Sequence, residues 1–123
     1  MRMSGVKWAF IAAAAAFAVY LFTLCPTVYA GDSGETITAA WCLGVSHPPG
    51  YPFFSLIGRL FIFIVPFGSV AFRVNLASAA LASAAVFFIF LSLMKLMGNN
   101  DNPAEGALAI ACAFAGSLML AFS

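Results

Sequence analysis

An all-α, polytopic membrane protein is the architecture this sequence predicts, and three observations carry the expectation. Of its 123 residues, 64% are apolar and only 7% are charged, a mix far from that of soluble globular domains. The apolar residues come in charge-free blocks whose lengths approach the roughly 20 residues a helix needs to cross a bilayer. The ionisable residues gather instead in one long segment between the first block and the second. Five basic and four acidic side chains give a formal net charge of +1, so no cationic surface exists to neutralise a run of phosphates. That excludes nucleic acid as a partner. The length leaves room for about three or four crossings and one sizeable loop, but for no separate aqueous catalytic domain.

The first span is expected over about residues 6–24. Trp8 to Leu24 carries no charge, Lys7 can snorkel at its start, and a backbone in lipid must satisfy its own hydrogen bonds by forming a helix. A cleaved signal peptide is the competing reading, because Arg2 and Lys7 form a basic leader and Val28-Tyr29-Ala30 offers small residues for cleavage. The apolar stretch exceeds the usual leader core of about 7–15 residues, which ranks a retained span first. The alanine run 12–16 needs no special explanation in such a helix.

A long loop, residues 25–73, follows. Asp32 and Glu35 precede a stretch from Thr36 to Val45 in which Ile37, Trp41 and Val45 share one helical face, which predicts a short interfacial amphipathic helix with Trp41 at headgroup level. His47-Pro48-Pro49-Gly50-Tyr51-Pro52 is stiff, since proline fixes its own backbone and keeps the preceding residue extended. Phe53 to Val65 is apolar but short and interrupted by Arg59, so it reads as an interfacial or re-entrant helix; crossing there would raise the number of spans to four.

The second span is expected at 74–97. Its first half, dense in Ala and Ser, suits close helix packing, and the bulky run Val86 to Leu91 is expected to look outward. After a turn from Gly98 to Pro103, residues 105–123 read as the third span, ending without cap or polar tail, as expected of the N-terminal fragment of a longer membrane protein. Arg2, Lys7 and Lys95 then mark the cytoplasmic side, which places the 25–73 loop outside the cytoplasm. Cys25, Cys42 and Cys112 form no CxxC pair and read as small apolar fillers; nothing in the spacing requires a Cys25–Cys42 disulfide.

Chemistry is expected where ionisable groups meet the membrane boundary: Asp32, Glu35, His47, Arg59 and Arg73. Asp32 and Glu35, at i and i+3, are either the N-cap and N3 residue of a capping-box variant or a carboxylate base with its support or a metal ligand. Spacing alone leaves both open. His47 is either a hydrogen-bonded turn histidine or a contact to a phosphate or sugar hydroxyl. Arg59 and Arg73 either mark membrane borders or bind an anionic headgroup through the guanidinium fork. No catalytic triad, P-loop, GxGxxG or HExxH motif is present, which removes support from hydrolase, nucleotide-driven and dinucleotide-dependent classes.

The strings Gly31-Asp32-Ser33-Gly34-Glu35, Leu43-Gly44-Val45-Ser46-His47-Pro48-Pro49-Gly50-Tyr51-Pro52, Gly58-Arg59-Leu60 and Pro66 to Leu76 make the chain resemble the N-terminal portion of a polytopic family. That family includes the TMEM-type protein O-mannosyltransferase of the endoplasmic reticulum and bacterial relatives. The resemblance implies a GT-C type glycosyltransferase that takes a sugar from a polyprenyl or dolichyl phosphate carrier and passes it, with inversion, to an acceptor hydroxyl. For the O-mannosyltransferase among its members, that sugar is mannose and that acceptor protein Ser/Thr. It puts the general base on Asp32 with Glu35 as support, and His47, Arg73 and then Arg59 around the donor phosphate.

The expectation is therefore an integral, multi-pass glycosyltransferase segment, in the bacterial inner or the endoplasmic-reticulum membrane, with a lipid-linked donor, a hydroxyl acceptor and membrane lipid as partners. No cofactor is expected. Asp32, Glu35 and His47 are competent to bind a divalent metal, but their spacing matches no standard site. A polytopic transporter or non-catalytic membrane subunit is the alternative.

Overall fold

The computed structural model describes residues 3–97 and 103–122, with side-chain environments for 5–97 and 105–122. The expected turn at 98–103 and the basic residue Arg2 thus fall outside, or at the edge of, the described residues. Five helices follow in order: α1 (Met3–Phe22), α2 (Ser33–Cys42), α3 (Pro52–Ile64), α4 (Val70–Leu96) and α5 (Pro103–Ala121). Among the described residues there is no strand. Two helices are long and apolar enough to cross a membrane, Gly5–Phe22 within α1 and Val70–Leu96; the apolar stretches Pro52–Ile64 and Glu105–Ala121 are shorter. The expected all-α fold is present.

The chain divides into two compact units, Met1–Tyr20 with Leu81–Ser123, and Leu21–Ala80. In the first, Ala9, Ala12 and Ala16 form a buried face on α1, joined in one cluster by Val86 and Phe90 of α4 and Ala113 of α5. Alanine spaced at i, i+3 and i+7 leaves a shallow groove, and bulky side chains fill such a groove at van der Waals distance. The alanine run therefore has a packing role. The expectation that Val86 to Leu91 looks outward is corrected: Val86 is 2% and Phe90 0% exposed, while Phe88 between them is 64% exposed. Helical periodicity splits that run between two faces. The Tyr20 hydroxyl donates to the Ala121 carbonyl at 2.7 Å, tying the end of α1 to the end of α5.

In the second unit the core is Ile37 and Ala40 of α2, Ile62 of α3, and Ala71 and Val74 of α4. Gly58 allows this closeness, since a Cβ there would lie 2.9 Å from the Ala40 Cβ. α3 turns Phe53, Leu56, Leu60 and Phe63 outward, as an interfacial helix would. The α2 helix ends earlier than expected. Leu43 adopts the left-handed conformation and Gly44 donates to the Ala39 carbonyl, so Val45 lies outside the helix and, like Trp41, is exposed; only Ile37 of the expected face is buried.

α4 begins at Val70 because Ser69 caps it: its Oγ accepts from the Phe72 N–H at 3.1 Å and donates to the Pro26 carbonyl at 2.8 Å. One turn on, Asn75 donates through Nδ2 to the carbonyls of Cys25 and Thr27. These bonds fasten the chain that leads from α1 into α2.

Candidate carboxylate–imidazole site

Asp32 sits at the N-cap position of α2, yet its side chain makes no capping bond. Ser33 takes up the local hydrogen bonding instead, donating through Oγ to the Tyr29 carbonyl at 2.6 Å and accepting from the Tyr29 N–H at 2.9 Å. Glu35, at the position a capping box would use, reaches away from the helix. Its Oε1 accepts from the backbone N–H of His47, and its Oε2 lies 2.9 Å from His47 Nδ1. The capping-box alternative is therefore not made.

His47 is delivered by a tight turn. Gly50 donates its N–H to the His47 carbonyl at 2.9 Å, and the buried Ser46 donates through Oγ to the Gly50 carbonyl at 3.2 Å. Gly50, at φ +87°, supplies the left-handed conformation that closes the turn. With Nδ1 against Glu35, the ring turns Nε2 to within 3.7 Å of Asp32 Oδ2, and the Tyr51 ring stands edge-on with its centroid 6.4 Å away. The three side chains are open to solvent: Asp32 is 76%, Glu35 47% and His47 44% exposed.

The electrostatics follow from this geometry. The His47 hydrogen bonds, from ring and backbone, hold the Glu35 carboxyl below its ordinary range. The hydrogen bond and charge of Glu35, with the charge of Asp32, raise His47 above that of a free imidazole. One candidate ligand atom from each residue lies within 4.8 Å of the others. A divalent ion would have to compete for Oε2 and Nδ1, which already satisfy each other.

The two arginines lie elsewhere in the unit. Arg59 donates through Nη1 to the Trp41 carbonyl at 2.8 Å and places its guanidinium 5.3 Å from the Trp41 ring centroid. Arg73 donates through Nη1 to the Ile62 carbonyl at 2.9 Å and through Nε to the Phe67 carbonyl at 3.2 Å. Each thus meets a carbonyl that its helix end leaves without an intrahelical partner, Arg59 at α2 and Arg73 at α3. Of the five expected site residues, the structure gathers Asp32, Glu35 and His47, and it engages Arg59 and Arg73 at helix ends. A cavity of about 380 Å³ beside Glu35, lined by Gly34, Thr38, Ala39, Cys42, Gly44 and Val45, was not foreseen. Gly34 in the first turn of α2 and Gly44 just past its end were the available signal for it.

Fold and cluster together define a class: an all-helical protein with helices suited to a bilayer and acid–base groups presented on the segment that joins them. Residues 32–123 match the family described as the Protein O-mannosyl-transferase TMEM260 N-terminal domain, and the chain belongs to that family. It is 48% identical over 92 residues to the Protein O-mannosyl-transferase TMEM260 of Mus musculus, covering 75% of this chain and 13% of the relative. It is 39% identical over 84 residues to the Protein O-mannosyl-transferase tmem260 of Dictyostelium discoideum, covering 67% of this chain and 10% of the relative. The chain thus spans about an eighth or less of the relatives it matches. No solved structure matches it.

Proposed function

We propose that this chain is the N-terminal part of a membrane glycosyltransferase that moves a sugar, mannose by its relatives' names, from a polyprenyl or dolichyl phosphate to an acceptor hydroxyl, with protein Ser/Thr as the acceptor class. The observation that carries the reading is the state of Asp32: within the family-matched region, its carboxylate is exposed and not consumed by capping the helix it precedes. As general base, Asp32 takes the proton of the acceptor hydroxyl while that oxygen attacks the anomeric carbon from the face opposite the phosphate. The carbon–oxygen bond to phosphate breaks, the lipid phosphate leaves with the electron pair, and configuration inverts. Guanidinium groups stabilise the charge that develops on the leaving phosphate, Arg73 first and Arg59 second. The reading places the protein in a membrane with multiple passes and the 25–73 loop on the non-cytoplasmic side.

The test is sugar transfer by the full-length protein from a labelled lipid phosphate mannose to a Ser/Thr peptide. Asp32→Asn is expected to lower turnover by about 10²–10⁴-fold, the range general-base catalysis supplies. Undiminished turnover, or solute movement with the donor left intact, would overturn the assignment.

A further inference from the structure

We infer that His47 is a positioning residue of this site: gripped by Glu35 at both its backbone N–H and Nδ1, it turns Nε2 toward Asp32 and holds that carboxylate aimed at the acceptor hydroxyl. The inference rests on the reading of Asp32 as base and assigns a different group from the one expected to meet the donor phosphate.

The geometry is that of a two-sided clamp. Both oxygens of Glu35 engage one residue, which fixes the ring through its own nitrogen and through the backbone that carries it. The backbone is held in turn by the Ser46 and Gly50 hydrogen bonds, so the ring swings away only by giving up its own bond to Glu35. Nδ1 being taken, Nε2 is the one nitrogen left, and it faces Asp32 Oδ2 at 3.7 Å, within ion-pair range.

The charged groups acting on the ring are Asp32 and Glu35, both from the start of α2; the other titratable neighbour is Tyr51, edge-on from the same turn. Two carboxylates on one imidazole favour its protonated form, in accord with the upward shift of His47. A phosphate approaching this ring would meet both carboxylates, whereas the guanidinium groups carry no such neighbours among the ion pairs of the described residues. The proton of the acceptor goes to Asp32 and later to water; His47 keeps its own throughout.

The sign of the pH effect follows. The imidazolium persists below its raised pKa, so kcat falls as pH rises through that value. Removing the Glu35 charge lets the ring lose its proton sooner. The experiment uses the full-length protein, a labelled lipid phosphate mannose and a Ser/Thr peptide, with kcat and donor KM followed against pH.

Wild type is expected to lose kcat on the alkaline side, Glu35→Gln to move that loss to lower pH, and Glu35→Asp, which keeps the charge, to return it toward wild type. His47→Gln is expected to lower kcat on the order of 10- to 100-fold, as misplacement of a reacting group does, with donor KM unchanged. A raised donor KM with kcat preserved would make His47 a phosphate contact and overturn the inference. So would an alkaline limb that Glu35→Gln leaves in place, or a wild-type profile with no such limb, which needs no variant to observe. Turnover that survives Asp32→Asn removes the base reading itself. Turnover lost in Asp32→Asn with the limb unmoved in Glu35→Gln removes the positioning role alone.

Discussion

The two units hold their helices together by different means. In Met1–Tyr20 with Leu81–Ser123 the cohesion includes size complementarity, an alanine face receiving Val86 and Phe90, with the Tyr20 hydroxyl bonded to the Ala121 carbonyl. In Leu21–Ala80 an apolar core is supplemented by polar ties through helix ends and turns, with Arg59, Arg73, Ser69 and Asn75 each bonded to a backbone carbonyl. The difference teaches where chemistry can reside. A unit that uses its arginines and small polar groups for structure leaves its acids over, and Asp32 and Glu35 meet at an imidazole instead of capping α2.

Substitutions at three positions test how real that division is. The largest effect is expected from Phe90→Ala, which empties the filled side of the alanine groove and costs about 3–5 kcal/mol, read as a fall in thermal midpoint in detergent micelles. If the midpoint holds, the first unit does not depend on size complementarity. A smaller loss, about 2 kcal/mol, is expected from Arg73→Ala, which frees the Ile62 and Phe67 carbonyls from a charged donor. Arg73→Lys should restore little of it, since one ammonium does not reproduce a two-nitrogen fork; full restoration would show that charge alone matters there.

The smallest effect concerns the exposed Glu35–His47 pair. Glu35 is lowered from 4.5, so its contribution is complete above that value and is lost as pH falls through the lowered pKa. His47 is raised from 6.5, so its contribution is complete below that value and is lost as pH rises through the raised pKa. The difference in thermal midpoint between wild type and Glu35→Gln should therefore be widest between these two ordinary values and shrink on either side. A difference that stays flat with pH would mean that the pair does not stabilise the turn.

Much of this was legible in the sequence, for identifiable reasons. Charge-free blocks and their lengths marked α1, α4 and α5, and the shortness of Phe53 to Val65 with Arg59 inside it marked α3 as something other than an ordinary crossing. Asp32, Glu35 and His47 stood out because ionisable groups are rare in so apolar a chain. Their union was not legible, because Glu35 and His47 are 12 residues apart and only the Ser46–Gly50 turn brings them together. The inward face of Val86 to Leu91 was hidden for another reason. A run of uninterrupted apolar residues carries no polar marker to show which side meets protein. Leu43 likewise gave no warning that α2 stops, since a leucine in the left-handed region is rare; the following Gly44 was the usable sign.

The bond from the Tyr20 hydroxyl to the Ala121 carbonyl joins residues 101 positions apart. Because the ribosome makes the chain from its N-terminus, this clasp can close only after the fifth helix has been synthesised. The first helix is therefore complete well before the partner that fastens its end exists.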